Sequence, residues 1–165
     1  MKDLQFFLYR VPSDVGDWLA AFDGAELVFL SSYNIGKKKV SSELTSFFKQ
    51  HYHFEVGRFE VENWSHGNFW KKTHKIKPLG SDFQVRVWLE LIKIRRGTTV
   101  TYSHIAQKIR KPTAVRAVAT AIANNPICVL IPCHRVVSKA GYKYKYRGGP
   151  ETKMALLRAE GIVIA

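Results

Sequence analysis

The order of apolar and polar positions divides the chain into two parts with different predicted structure. In the first part, short apolar and aromatic runs at Leu4–Val11 and Glu26–Tyr33, separated by turn-forming residues, predict β-strands. Apolar residues at helical spacing between Ser42 and Tyr52 predict a helix. The basic segment Lys71–Gly80 contains proline and glycine and indicates a linker. The first part is therefore predicted to be a small α/β lobe.

The second part carries stronger helix signals. Ser81 and Gln84 have the spacing of a capping box, and the apolar stripe behind them predicts a helix that ends near Gly97. Thr101 is a plausible cap for a short helix over residues 102–109. Thr113 is a plausible cap for a second helix over residues 114–124, which Asn-Pro at 125–126 ends. Two short helices joined by a short turn predict a helix-turn-helix.

The predicted fold class is therefore α+β. A small N-terminal α/β lobe, residues 1–77, is followed by a mainly helical C-terminal domain, residues 78–165. The C-terminal domain is expected to hold the helix-turn-helix and a segment with a reactive cysteine.

The second helix of this motif has two predicted faces. Its core face is assigned to Val115, Val118, Ala119 and Ile122. Its other face is small apart from one cation, and consists of Arg116, Ala117, Thr120, Ala121 and Ala123. A face of small residues lets a helix approach a nucleic-acid groove closely, but it suits tight packing against another helix equally well.

Composition places the chain among globular proteins. It has 165 residues, of which 46% are hydrophobic and 24% charged, enough for a real core. It contains no apolar stretch of membrane-spanning length, and its N-terminus does not resemble a secretory signal. Two cysteines cannot form a disulfide framework. We therefore expect a cytoplasmic protein with no membrane association and with a monomer as the default state.

The charge is concentrated in the second part. Residues 1–80 carry 11 basic and 9 acidic side chains, whereas residues 81–165 carry 15 basic and 4 acidic ones. No carboxylate side chain occurs between Glu90 and Glu151, although this interval contains 12 lysines and arginines. Such a surface is expected to attract a polyanion, and nucleic acid is the commonest one. The alternatives are a merely soluble basic surface and an anionic membrane, which usually binds a basic amphipathic helix.

The two cysteines lie in the segment ICVLIPCHRVV, residues 127–137. Cys128 lies inside the apolar run and is interpreted as a small core residue. Cys133 follows Pro132 and precedes His134, an arrangement that favours a reactive thiolate with a neighbouring base. The alternative is a semi-buried structural cysteine. Cys128, Cys133 and His134 lack the spacing of zinc sites, so we predict no metal.

These residues carry a resemblance to a known family. Asn125-Pro126 followed by IPCHRVV at residues 131–137 resembles the active-site signature of the O6-alkylguanine-DNA alkyltransferases. The similarity extends over about half the chain, through Phe83-Gln84, Tyr102, Arg116-Ala117-Val118, Gly148-Gly149, Leu156-Leu157 and Glu160-Gly161. The N-terminal half is similar to the family only in size and coarse pattern.

The resemblance implies direct-reversal DNA repair. The helix-turn-helix would bind double-stranded DNA containing O6-alkylguanine in the minor groove, and the damaged base would rotate into a pocket. A cysteine thiolate would accept the alkyl group in a single turnover, without a cofactor. O4-alkylthymine is a second candidate lesion, and no obligate protein partner is expected.

The resemblance also implies roles for individual residues. Cys133 would accept the alkyl group. His134 would take its proton through a water, and Glu160 would orient the imidazole. Tyr102 would hydrogen-bond the guanine, and Asn125 would tie the recognition helix to the cysteine segment.

The resemblance also implies a set of DNA-binding residues and a set of pocket residues, and three positions differ from the family pattern. The residues assigned to DNA binding are Arg116, Ala117, Thr120, Ala121 and Arg135, with Arg116 filling the gap left by the everted base. The residues assigned to the substrate pocket are Ile122, Val136, Tyr146 and Arg147. Ala119 and Tyr144 stand where the family commonly has glycine, and Arg147 stands where a small residue is common, so the preferred lesion size is open.

Two other function classes were weighed against repair. An alkylguanine-binding regulatory or lesion-signalling protein on the same scaffold would lack the acceptor cysteine, so Cys133 argues against it. An unrelated cysteine hydrolase would need an oxyanion hole and would leave the basic half unexplained.

Overall fold

The computed structural model of the chain describes residues 6–11, 18–32, 46–47, 50, 62–63, 75–139 and 146–162. These residues form the predicted α+β fold, with a five-stranded sheet, four complete α-helices and a two-stranded sheet. The predicted helix at Ser42–Tyr52 falls mostly outside the described residues, as does Tyr144, so nothing tests those two assignments. Among the helices that are described, none has the length and apolar character to cross a membrane.

The five-stranded sheet forms the N-terminal lobe. Its strands are β1 (Phe6–Val11), β2 (Trp18–Asp23), β3 (Glu26–Ser32), β4 (Glu62–Asn63) and β5 (Lys75–Ile76), in the spatial order β4-β1-β2-β3-β5. The first three strands are antiparallel, and the two outer strands pair in parallel. Gly24 adopts a φ of 60° in the tight connection between β2 and β3, a conformation that glycine adopts readily.

Two parts of this sheet differ from the sequence-based prediction. The interval before Glu26 contains a strand, β2, which the run pattern does not predict. Residues 75–76 of the predicted linker form β5, which pairs with Glu26 and Leu27 of β3. The predicted linker is therefore partly an edge strand, and Lys77 N donates a further hydrogen bond to Leu27 O at 2.8 Å.

The C-terminal elements follow the predicted order. The helices are α1 (Asp82–Ile92), α2 (Tyr102–Lys108), α3 (Val115–Ala123) and α4 (Pro150–Ala159), and the small parallel sheet pairs β6 (Val100–Thr101) with β7 (Val136–Val137). The predicted capping box is confirmed, because Gln84 N donates to Ser81 Oγ and Ser81 N donates to Gln84 Oε1. Thr101 caps α2 as predicted, accepting from the amide of His104 at 3.2 Å.

Other helix ends differ from the prediction. Helix α1 ends at Ile92 rather than near Gly97. The predicted cap Thr113 is wrong, because α3 begins after Ala114 without a side-chain cap hydrogen bond. A backbone hydrogen bond from Ala114 N to Lys111 O closes the preceding turn instead. Helices α2 and α3 form the predicted helix-turn-helix.

A single apolar core runs through both lobes. Trp88 on α1 is almost fully buried, and its indole nitrogen donates to Ala121 O on α3 at 2.8 Å. The core joins residues of β2 and β3 to residues of the helices: Trp18, Phe22, Leu27, Leu30, Val87, Trp88, Leu91, Ile105, Val118, Ile122, Ile131 and Cys133. Burial of this apolar surface is the main force that holds the two lobes together.

Backbone hydrogen bonds also connect the cysteine segment to the N-terminal sheet. Leu30 N donates to Pro126 O, and Cys128 N donates to Leu30 O, both at 2.8 Å. Residues 127–131 then turn sharply, with a positive φ of 72° at Val129, so Cys128 forms an isolated bridge with Ile131. The segment predicted to be extended therefore forms two isolated β-bridges, Leu30 with Ile127 and Cys128 with Ile131, instead of a strand. Its position depends on its hydrogen bonds to β3.

Candidate active site

Cys133 begins a single 3-10 turn, Cys133–Arg135, directly after Pro132. Its side chain is only 4% exposed. Asn125 fixes the approach to this turn from the end of α3, because its Nδ2 donates to Ile131 O at 2.8 Å and its Oδ1 accepts from Ile127 N at 3.0 Å. Asn125 is itself buried, so both hydrogen bonds are shielded from water. These contacts support the predicted tie between the recognition helix and the cysteine segment.

Cys128 lies beside Cys133 and interacts with it. The pKa of Cys133 is lowered to about 7, and a hydrogen bond from the Cys128 side chain is the largest cause. Burial alone would raise this pKa, but hydrogen bonds from Asn125 and Tyr146 and the charge of Lys153 add to the effect of Cys128 and outweigh it. The same hydrogen bond and burial raise the pKa of Cys128. Cys133 is therefore the thiolate of the pair. Cys128, which is fully buried in the core as predicted, keeps its proton and can share it between Cys133 and Asn125 O, which lies 3.9 Å from its sulfur.

Lys153 is a functional candidate that the sequence did not predict. It is 3% exposed on α4, and its Nζ donates to Val136 O at 2.7 Å. Burial lowers the pKa of Lys153, while a thiolate at Cys133 raises it. A buried ammonium near the sulfur compensates the negative charge of the thiolate. Buried lysines are rare, so no pattern of apolar positions could have identified this one.

His134 and Glu160 form a buried pair. His134 is 1% exposed, and its Nε2 lies 2.8 Å from Glu160 Oε1. Burial lowers the pKa of His134, although Glu160 opposes this effect. Because a carboxylate accepts a hydrogen bond from Nε2–H, the neutral ring presents Nδ1 as its proton acceptor. That Nδ1 is buried and makes no hydrogen bond with any residue that the structure describes.

Glu160 lies at the end of α4, and three groups keep its carboxylate ionised. Burial by itself would raise the pKa of Glu160, but hydrogen bonds from Arg135, His134 and the amide of Gly97 lower it to about 2. Arg135 donates from Nε and Nη2 to Oε1 at 3.1 and 2.7 Å, and Gly97 N donates to Oε2 at 3.1 Å. Glu160 is therefore placed to fix the imidazole and stabilise its charged form.

Arg135 does not occupy its predicted position. Its guanidinium binds Glu160, and its Nη1 donates to Ile94 O at 2.7 Å, so it is committed inside the protein rather than to DNA. The assignment of Arg135 to the DNA surface is corrected accordingly. The position of Arg135 next to His134 favours a contact with nucleic acid when only the sequence is considered. Its actual partner, the carboxylate of Glu160, lies 25 residues later in the chain.

A cavity of about 370 Å³ opens beside Cys133. It is lined by Tyr102, Ala119, Thr120, Ile122, Ala123, Cys133, Tyr146 and Arg147. The structure thus brings together at one cavity several residues that were assigned to different roles, including Tyr102, Thr120, Ile122, Tyr146 and Arg147. A cavity of this size accommodates a purine base with a substituent, which agrees with the size of known ligand pockets.

Two tyrosines contribute polar groups to this cavity. Burial, followed by the charge of Cys133, raises the pKa of Tyr102, so its phenol remains a proton donor at neutral pH. Burial and the charges of both cysteines likewise raise the pKa of Tyr146. The Tyr146 hydroxyl is buried and makes no hydrogen bond of ordinary geometry to the described part of the chain. Its interaction with the two cysteine sulfurs is the contact that a bound ligand would replace.

Val136 does not line the cavity. It is fully buried in β7, where it pairs with Val100 of β6, and its carbonyl accepts the hydrogen bond from Lys153. Its assignment to the substrate pocket is wrong, because the 3-10 turn that carries Cys133 redirects the chain before Val136. Ile122, by contrast, does lie at the cavity.

The outer face of α3 carries most of the residues assigned to DNA. Arg116, Ala117 and Thr120 are exposed. Ala121 is only 2% exposed because α1 packs over it, so its predicted DNA-facing position is wrong. Ala119, predicted as core, is half-buried at the cavity instead. Exposed cations from neighbouring elements extend this surface, namely Lys108, Arg110, Lys111 and Lys139.

Comparison with known proteins agrees with this site. The family model of the 6-O-methylguanine DNA methyltransferase DNA-binding domain matches residues 82–162. A methylated-DNA–protein-cysteine methyltransferase of Methanosarcina acetivorans is 35% identical over 90% of this chain and 94% of that protein. An inducible one of Bacillus subtilis is 44% identical, and that match spans 61% of this chain and only 56% of the relative.

Solved structures show the same architecture. The O6-methylguanine methyltransferase of Mycobacterium tuberculosis superposes with a TM-score of 0.65 at 30% identity, covering 94% of this chain and 93% of that one. A hyperthermophilic archaeal O6-methylguanine-DNA methyltransferase from Pyrococcus kodakaraensis shares the fold, with a TM-score of 0.68 at 20% identity over 96% of this chain and all of that one. The extent of these matches shows that the chain belongs to the methylated-DNA–protein-cysteine methyltransferase family.

Proposed function

We propose that the protein repairs alkylated DNA by moving the alkyl group of O6-alkylguanine onto its own Cys133, once per molecule. One observation carries this proposal: a buried cysteine with a pKa of about 7 lies at a base-sized cavity, directly before the His134–Glu160 pair. The nature of the relatives, which are methylated-DNA–protein-cysteine methyltransferases, supports the same reaction.

The reaction begins with formation of the thiolate. His134 is neutral because burial lowers its pKa, and its Nδ1 takes the proton of Cys133 through a water molecule. The carboxylate of Glu160 stabilises the imidazolium that results. Cys128 donates a hydrogen bond to the sulfur, and the ammonium of Lys153 offsets its charge. A soft, partly desolvated thiolate is a strong nucleophile toward carbon.

Alkyl transfer is an in-line displacement at the carbon attached to O6. The sulfur–carbon bond forms as the carbon–O6 bond breaks, and the electron pair remains on the guanine. The guanine then takes up a proton, which balances the proton that Cys133 lost. The Tyr102 phenol at the cavity donates a hydrogen bond to the departing base, which is a poor leaving group without such help. The product is a thioether. Because a thioether carries no good leaving group, Cys133 is not regenerated.

Engagement of DNA relies on the exposed face of α3. Ala117 and Thr120 allow close approach to a groove, and Arg116 enters the stack in place of the everted nucleotide. Extrusion of a base costs about a few kcal/mol, and phosphate contacts from the basic surface supply binding energy without sequence preference. Sequence-independent binding suits a lesion that can occur anywhere.

The test is intact-mass analysis after mixing the protein with a duplex oligonucleotide containing O6-methylguanine. We expect one added methyl group per protein molecule, and none with Cys133→Ala. Both cysteines lie in the tryptic peptide 117–135, so fragmentation must assign the modified sulfur. Cys128→Ser serves as the matched variant, since it retains Cys133.

Three outcomes of that experiment would contradict the proposal. A methyl group on Cys128 would overturn the acceptor assignment. Repeated turnover with excess DNA would overturn the single-use reaction. Tight binding of the lesion without any transfer would favour the lesion-signalling alternative.

A further inference from the structure

Arg147 is the one charged side chain among the eight described residues that line the cavity. It follows Tyr146 directly in the chain and shares the cavity with Cys133. Arg147 departs from the family pattern, because a small residue is common at this position. The proposed methyl transfer assigns no role to its charge.

Contacts with Asn125 and Phe29 hold the Arg147 guanidinium in place. Its Nη1 donates to Asn125 O at 2.9 Å, and its Cζ lies 5.5 Å from the centroid of the Phe29 ring. Phe29 is a fully buried residue of β3, and Asn125 is the buried residue that fixes the cysteine segment. The cation is therefore positioned before any ligand binds, which reduces the entropy lost on binding.

The charge of Arg147 is felt at the sulfur of Cys128. It opposes the rise in the pKa of Cys128, the immediate neighbour of Cys133. The Tyr146 hydroxyl, buried beside the sulfurs of Cys133 and Cys128, adds a hydrogen-bond donor. The cavity thus offers a cation and a phenol to the part of the ligand that lies next to the reacting sulfur, and no carboxylate lies among its lining residues.

We propose that Arg147 makes the cavity selective for O6 substituents that carry an anionic group, of which carboxymethyl is the smallest. This inference rests on the proposed alkyl transfer and names its substrate class. The carboxylate would bind the guanidinium, whose planar set of donors matches carboxylate geometry. The hydroxyl of Tyr146 would donate a second hydrogen bond.

The chemistry of the transfer explains why a cation is needed. The thiolate of Cys133 attacks the methylene carbon of O6-carboxymethylguanine, the sulfur–carbon bond forms, and the carbon–O6 bond breaks with its electron pair on the guanine. The product is S-carboxymethylcysteine, and the guanine is protonated as in methyl transfer. The incoming sulfur and the substrate carboxylate carry like charges and repel each other. A fixed guanidinium beside both reduces this repulsion where it is greatest.

The experiment compares two nearly isosteric lesions in the same duplex. O6-carboxymethylguanine and O6-carbamoylmethylguanine differ in charge but little in size, so the ratio of their single-turnover transfer rates reports on the charge preference. The ratio is measured in the wild type, Arg147→Gln, Arg147→Lys and Arg158→Gln. Arg158 is an exposed cation on α4 and controls for net charge.

We expect the carboxymethyl-to-carbamoylmethyl ratio to fall about tenfold in Arg147→Gln, to be largely retained in Arg147→Lys, and to be unchanged in Arg158→Gln. Because it is a ratio within one preparation, the fraction of folded protein cancels. An equal ratio in the wild type and Arg147→Gln would overturn the inference.

Transfer from O6-methylguanine by the wild type, measured in parallel, separates this inference from the proposed function. If the wild type transfers methyl but its charge preference does not depend on residue 147, only the inference fails. If the wild type transfers no alkyl group at all, the proposed function fails.

Discussion

His134 Nε2 and Glu160 Oε1 lie 2.8 Å apart, although 26 positions separate the two residues in sequence. Glu160 lies at the end of α4, where a negative charge is disfavoured by the helix dipole. Hydrogen bonds from Arg135 and Gly97 offset that cost and keep the carboxylate ionised. The arrangement orients the imidazole so that Nδ1 is its basic atom.

Replacing Glu160 with glutamine should therefore slow alkyl transfer. The variant cannot stabilise the imidazolium, so we expect the single-turnover rate at neutral pH to fall by about 100-fold. Glu151→Gln, an exposed carboxylate on the same helix, is the control and should behave as wild type. An undiminished rate in folded Glu160→Gln would show that His134 needs no carboxylate partner.

The pH dependence of transfer should report the thiolate of Cys133. The thiolate is the reactive form, so the rate should rise with pH up to about 7 and level off above it. Cys128→Ala removes the hydrogen bond that lowers this pKa, so its profile should shift to higher pH. Cys128→Ser retains a donor and should shift less. Superimposable profiles for wild type and Cys128→Ala would contradict the proposed donor role.

Lys153→Met tests the buried ammonium. Methionine keeps the apolar length but removes the charge, so the pKa of Cys133 should rise and the rate at pH 7 should fall several-fold, recovering toward pH 9. Loss of the hydrogen bond to Val136 O should also cost about 1–3 kcal/mol of unfolding free energy. Denaturant unfolding measures the second effect separately. A rate deficit that is constant with pH would indicate a purely structural role.

Arg116→Ala distinguishes DNA engagement from chemistry. We expect transfer from O6-methylguanine in duplex DNA to fall roughly tenfold, since filling the vacated stack is worth more than about 1 kcal/mol. Reaction with free O6-benzylguanine, which requires no base extrusion, should be nearly unaffected. Equal losses on both substrates would remove the intercalating role of Arg116, and Arg158→Ala provides a matched exposed cation.

Local signals predicted the fold best. The capping box at Ser81 and Gln84 and the Thr101 cap are set by residues three positions apart, so they are visible in the sequence. Strand β5 was missed because Lys75–Ile76 has no strand pattern of its own and is ordered by pairing with β3. Thr113 has the residue type of a helix cap, but the backbone turn at Ala114 starts the helix.

The site was predictable where residues are consecutive and less so where it is assembled from distant segments. Cys133 and His134 are neighbours in the chain and share one 3-10 turn, so the sequence alone brings them together. Arg135 was misassigned because its partner Glu160 comes from α4. Ala121 was misassigned because Trp88 of α1 approaches that side of α3, which helical periodicity alone does not reveal.

The pairing of Leu30 with Pro126 and Cys128 has a consequence for how the protein can be divided. The part of the chain that matches the family model begins at residue 82. The segment that leads to Cys133 is nevertheless hydrogen-bonded to β3, a strand that ends about fifty residues before that point. The N-terminal lobe therefore helps to fix the position of the segment that carries the Cys133 sulfur. Cutting it away would leave that segment with orphaned amide and carbonyl groups and without its fixed reference.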